Sequence, residues 1–133
     1  YPNIAQMNED EARRRLQNFQ PASPEEERMQ IQSVFGPIAP QLIRENDLDE
    51  HGVGEEDAKL AKVIIQKWDQ IRTIAQEIPA PQEMTRWLKE MEGPVTTEEL
   101  SIPHEWVAEG LNNAHFIRKR FSILRLSRLL SLD

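Results

Sequence analysis

The chain has 133 residues, 38% hydrophobic and 29% charged, with 16 Lys and Arg against 23 Asp and Glu for a formal charge of −7. That balance excludes a protein that binds nucleic acid along its whole surface, which needs a net basic footprint. The absence of cysteine excludes disulfide frameworks, thiolate metal sites and Cys nucleophiles.

No apolar run exceeds three residues, as in Val63-Ile64-Ile65, against the roughly 20 that a bilayer-spanning helix needs. No charged-then-apolar leader opens the chain, so the expectation is a cytoplasmic protein without a membrane span. The length suits one domain, 1–133. The chain starts at Tyr1 rather than Met, as a piece of a longer polypeptide would.

Nine prolines and five glycines cut the sequence into segments that read as helix, and none shows the period-2 alternation of a half-buried strand. Tyr1-Pro2-Asn3 reads as a loop or a trimmed end. Asn8, followed by Glu9, Asp10 and Glu11, starts a helix whose apolar side is Ala12, Leu16 and Phe19, stopped at Gln20-Pro21. Ser23, Pro24 and Glu26 form a capping box for a second helix, with Ile31, Val34 and Phe35 inward and Gly36-Pro37 as its end. Glu25-Glu26-Glu27 fall in its first turn, where they complement the helix dipole. A short helix carries Ile38, Ala39, Leu42 and Ile43.

Residues 45–57 hold seven acidic side chains together with Gly52 and Gly54, and read as a solvated loop or linker. The longest helix is predicted from about Glu55 to Ile78, with a seam of Ala61, Ile64, Trp68, Ile71, Ala75 and Ile78. Met84, Trp87, Leu88 and Met91 make the next apolar face, closed by Gly93-Pro94. Thr96 and Glu99 form another capping box. After Pro103, a helix should place Trp106, Val107, Leu111, Ala114 and Ile117 inward, and the last segment, capped by Ser122, is rich in leucine. The predicted fold is an all-α bundle of about six to seven helices.

The chain carries no GxGxxG, no GxxxxGK[ST] and no strand to hold either, so phosphate-cradling loops are absent from it. Gly52-Val53-Gly54 sits among carboxylates and reads as a solvated turn. The three histidines are His51, His104 and His115, with no HExxH and no Glu-x-x-His. The acidic stretch around His51 lacks the alternating ligands and terminal bidentate Glu of a calcium loop. No catalytic, cofactor-binding or metal-binding residue is assigned.

One asymmetry remains. Residues 1–66 carry 7 basic and 13 acidic groups, whereas within 114–133 Arg118, Lys119, Arg120, Arg125 and Arg128 face Asp133 alone. Two readings stand: a solvated face of terminal helices, or a phosphate-binding or interface surface around His115, Arg118 and Arg120.

Lys67-Trp68-Asp69-Gln70-Ile71-Arg72, Ile78-Pro79-Ala80-Pro81, Gly93-Pro94-Val95-Thr96-Thr97-Glu98-Glu99-Leu100 and Asn113-Ala114-His115-Phe116-Ile117-Arg118-Lys119-Arg120-Phe121-Ser122-Ile123-Leu124 follow in that order. This succession resembles the C-terminal end of bacterial sn-glycerol-1-phosphate dehydrogenases. More broadly it is similar to the helical domain of the dehydroquinate synthase and iron-containing alcohol dehydrogenase fold group. Residues 14–57 fit the variable helices that precede it, so 1–54 reads as variable helices and acidic loop, and 55–133 as the family-like core.

The resemblance implies a two-domain, NAD(P)- and metal-dependent oxidoreductase interconverting glycerol 1-phosphate and dihydroxyacetone phosphate. It implies partners as well: a nucleotide-binding domain missing from the N-terminal side, and a homo-oligomer. NAD(P) and a divalent metal belong to the intact enzyme and not to this segment. His51-Gly52 is not the family's metal-binding His-Gly pair, which belongs upstream of the variable helices. The rival reading is a free-standing helical interaction module without catalysis, docking through its leucine-rich terminal helix.

Overall fold

The computed structural model describes residues 2–48 and 53–132, with the backbone alone for 53–56. Every regular element among the described residues is helical. They are α1 (Pro2–Gln6), α2 (Glu9–Asn18), α3 (Pro24–Phe35), α4 (Ala39–Glu45), α5 (Val53–Gln66), α6 (Trp68–Glu77), α7 (Pro81–Glu90), α8 (His104–Asn113) and α9 (Ile123–Leu129), with 3-10 turns at Gly36–Ile38 and Ala114–Phe116. Six reach ten residues or more, so the all-α bundle expected from the pattern is the architecture found.

The polar caps work as the sequence implies. Asn8 accepts from the Glu11 amide at 2.8 Å. At α3 both halves of the capping box form: the Glu26 amide donates to Ser23 Oγ at 3.2 Å, and the Ser23 amide donates to Glu26 Oε2 at 2.7 Å. Two free amides are thereby satisfied at the end where the helix dipole favours acidic charge. Thr96 and Glu99 repeat the reciprocal pair at 3.3 Å in each direction. Ser122 Oγ accepts from the Arg125 amide to start α9. Gly36 ends α3 with φ at +49°, where a side chain would be strained.

Three expectations change. Pro2 and Asn3 are not in a loop: they open α1, whose Ile4 is fully buried, and Tyr1 lies outside the described residues. The long helix is two, because the Lys67 amide divides its bond between the carbonyls of Val63 (3.0 Å) and Ile64 (3.2 Å). That tightened turn accompanies the burial of Trp68, whose Nε1 donates to the Met7 carbonyl at 3.1 Å. Finally, the apolar faces of α7 and α8 are not core. Met91 is 71% exposed, Trp106 65% and Leu111 59%, and α7 buries no residue at all. Helical spacing marks a stripe that wants a partner, but cannot say whether the same chain supplies one.

The buried apolar residues form two clusters. One joins α1, α2, α5, α6 and α9 through residues such as Ile4, Leu16, Ile64, Trp68, Leu126 and Leu129. The other joins α3, α4 and the second 3-10 turn through Ile31, Ala39, Leu42, Ile43, Leu48 and Phe116. Helix α9 links them: its leucines fill the first cluster, and its arginines reach α3 and α5. The first cluster therefore draws on both 1–54 and 55–133.

Candidate functional site

Two buried carboxylates sit where the clusters meet. Glu27, on α3, is 1% exposed and accepts from Arg128 Nη2; Asp57, on α5, is 3% exposed and accepts from Arg125 Nη2 at 2.9 Å. Burial raises the Glu27 carboxyl above the usual carboxylate range, against the pull of the Arg128 guanidinium beside it. The Arg128 guanidinium also lies 5.6 Å from the centre of the Phe19 ring and 6.0 Å from that of Phe116.

His115 lies half-buried beside this pair, its ring centroid 3.9 Å from that of Phe116. Burial pushes its pKa down to about 4, helped by Arg128 and Arg125 and opposed by a hydrogen bond to the Asn112 backbone. The imidazole is therefore neutral at pH 7. Asn46 pins the turn that carries it, donating from Nδ2 to the carbonyls of Leu42 (2.8 Å) and Phe116 (2.7 Å). Glu27, Asn46, His115, Phe116, Arg125 and Arg128 surround a cavity of about 20 Å³.

The structure brings His115 to Arg125 and Arg128 and separates it from Arg118 and Arg120. Those two arginines are exposed and line a different groove, beside Gln41 and Glu45 of α4. Lys119, between them in sequence, also borders the small cavity and pairs with Asp47 at 2.5 Å. His104 is exposed and bonds Glu98 at 2.5 Å and Thr97 Oγ1 at 3.3 Å. His51 and the acidic residues beside it, Asp49 and Glu50, lie outside the described residues. Val53 and Gly54, expected in a turn, open α5.

Sequence reasoning misses Glu27 and Asp57. It places Glu27 with the dipole-complementing carboxylates of a first turn, and Asp57 in a solvated linker. A signal for both is nevertheless present. Glu27 shares a face with Ile31 at i+4, and Asp57 continues the seam of Ala61, Ile64 and Trp68. A carboxylate in register with a core stripe is a buried group in search of a cation.

The second feature is the bare apolar surface after α6. Met84, Trp87 and Leu88 on α7, and Met91 at its C-terminal cap, recur at helical spacing, and Trp87 and Leu88 are each 40% exposed. Leu100, Ile102, Trp106 and Leu111 extend the exposed apolar set. The leucines of α9 are the opposite case: Leu126, Leu129 and Leu130 are buried inside this chain. Of the apolar residues of α9, Ile123 is the one left exposed, at 48%. No helix among the described residues is long and apolar enough to cross a membrane.

No family model matches this chain, and no solved structure does. Over 56 residues, 42% of the chain, it is 34% identical to a glycerol-1-phosphate dehydrogenase (NAD(P)+) of Bacillus licheniformis. The matched stretch is 14% of that relative's length. The chain is thus similar, over less than half of itself, to a small part of an NAD(P)-dependent dehydrogenase.

The resemblance also implies a divalent metal and a nicotinamide nucleotide. Among the described residues no three His, Asp or Glu side chains converge as a metal would require. Nor does a glycine-rich turn join a strand to a helix there.

Proposed function

We propose that this chain is the greater part of the C-terminal helical domain of an NAD(P)- and metal-dependent oxidoreductase of the glycerol-1-phosphate dehydrogenase kind. The observation that carries the reading is the 34% identity over 56 residues to the B. licheniformis enzyme. The order of motifs from Lys67 to Leu124 supports it. In the intact enzyme, glycerol 1-phosphate and dihydroxyacetone phosphate are interconverted, with NAD(P) and the metal held by polypeptide outside these residues. The segment alone transfers no hydride.

On this reading the segment forms one wall of the active-site cleft and supports the elements that bear the metal. The bare face of α7 and α8 is the surface that a nucleotide-binding domain or a second subunit covers. Desolvating it contributes about 25 cal/mol for each Å² of apolar area removed from water. Arg118 and Arg120 present guanidinium forks suited to phosphate oxygens. His115, neutral at pH 7, adds a polar atom and no charge. The same bare face also favours the rival reading, a helical interaction module without catalysis, with α7 and α8 as its docking surface.

Two measurements separate these readings. The first is the coding sequence upstream of Tyr1. An in-frame glycine-rich βαβ segment of roughly 200 residues supports the oxidoreductase, and a start codon immediately before Tyr1 removes it in favour of the module. The second is NAD(P)H oxidation with dihydroxyacetone phosphate. The 133-residue polypeptide is expected to be inactive and an upstream-extended one active. Turnover by the short polypeptide refutes its catalytic emptiness.

A further inference from the structure

The joint between the two clusters carries more acceptors than its own side chains satisfy. Arg128 occupies only Oε1 of Glu27, and Arg125 only Oδ1 of Asp57. Among the described residues, Glu27 Oε2, Asp57 Oδ2 and His115 Nε2 are buried and have no protein partner. With its single proton on Nδ1, the neutral ring presents Nε2 as a bare acceptor. An unpaired buried acceptor is costly, so Glu27 and His115, each with one beside the same small cavity, call for a donor.

The cavity bordered by Glu27 and His115 has the size for one. At about 20 Å³ it exceeds the roughly 10–15 Å³ that admits a single water, and Glu27, Asn46 and His115 are among the residues that line it. It is too small for a phosphate or a carboxylate. A small cation such as ammonium would meet the charges of Lys119, Arg125 and Arg128, which all border the cavity. A neutral molecule with two donors meets the demand without that repulsion.

We propose that this cavity is a binding site for one ordered water, which donates to Glu27 Oε2 and to His115 Nε2. The water ties α3 to the turn that carries Phe116 and completes the polar joint that the two arginines leave half-satisfied.

A crystal structure of the 133-residue chain at about 1.5 Å or better tests this directly. The expected result is one well-ordered water within about 2.6–3.2 Å of both atoms. An empty cavity, a Glu27 carboxyl bonded directly to the imidazole, or an ion in that place overturns the proposal. Oxygen-17 relaxation dispersion supplies a solution readout: the wild-type chain should show one more long-lived internal water than His115→Phe. Equal amplitudes in the two folded proteins overturn the bridging role. If the variant does not fold, the wild-type crystal decides alone.

Discussion

Replacing Arg128 by methionine tests how the joint is held together. The change keeps an apolar stem against Phe19 and Phe116, which the guanidinium now overlies at 5.6 and 6.0 Å. What it removes is the guanidinium that donates to Glu27, a carboxylate only 1% exposed. Breaking one side of a buried ion pair costs about 3–5 kcal/mol, because the remaining charge is left without compensation in a poorly solvating site. Removing both sides costs far less, since the desolvation penalty disappears with the charge. Arg128→Met should therefore lose about 3–5 kcal/mol at pH 7, and Glu27→Leu/Arg128→Met less than about 1 kcal/mol. Urea unfolding followed by far-ultraviolet circular dichroism measures both.

The single variant has a second signature. Burial already raises the Glu27 pKa with Arg128 in place, and without the arginine it rises further. A carboxyl whose folded pKa lies above its unfolded value stabilises the fold at low pH, and that contribution is lost as pH climbs through the folded pKa. Arg128→Met should accordingly regain stability on acidification from pH 7 towards 5, whereas the double variant should not show that recovery. The reasoning fails if the single variant loses less than about 1 kcal/mol, or if the double variant is as unstable as the single. Should the single variant be unfolded outright, a folded double variant supports the same conclusion.

His115 works in the opposite sense. With its pKa pushed down from 6.5 to about 4, its contribution is complete above pH 6.5 and is lost as pH falls towards 4. The loss is on the order of 2 kcal/mol after discounting for partial exposure. An NMR titration should place the imidazole midpoint near 4, and His115→Gln should flatten that part of the stability profile. Trp68→Ala should cost about 3–5 kcal/mol, because the ring is buried and its Nε1 is bonded. Trp87→Ala, on the bare face of α7, should change unfolding by no more than about 0.5 kcal/mol. A large loss at Trp87 would mean that α7 packs within this chain after all. Ser23→Ala should cost about 1 kcal/mol by removing half of the capping box, readable as a lower urea midpoint with unchanged slope.

Local chemistry makes the helices legible. Asn8, Ser23 and Ser122 each announce a helix start, and Thr96 a turn, through a short-range bond that needs no knowledge of the rest of the chain. Stripe-to-core inference is less secure, because periodicity reports a wish for burial and not its fulfilment. Ile64 and Trp68 find neighbours on α1, α2 and α9, while Trp87 and Trp106, equally well spaced, stay exposed. The polar joint is hidden for a related reason. Its partners are 101 residues apart in the case of Glu27 and Arg128, and 68 for Asp57 and Arg125. No local window shows which of five C-terminal cations turns inward.

The position of α9 connects these observations. Six buried residues make up the second cluster, a small core whose hold on the first is strengthened by side chains on one seven-residue helix. Arg128 carries that hold as its ion pair with Glu27 on α3, while Arg125 fixes α9 to α5 through Asp57, and well-packed apolar residues would do so at no greater cost. What the polar version supplies is register. A guanidinium bonded to a buried carboxylate tolerates little sliding, since any displacement leaves both charges unpaired. The turn bearing His115 is fixed by the same joint and by Asn46, so Arg118 and Arg120 project from a base whose position is set on two sides. If a phosphate meets those arginines in a longer enzyme, Asn46→Ala should weaken its binding without touching the ligand, by releasing the turn from α4. A dehydrogenase assay on the upstream-extended polypeptide would then show a raised KM with kcat little changed. Equal loss in kcat would instead place the turn in contact with the reacting groups.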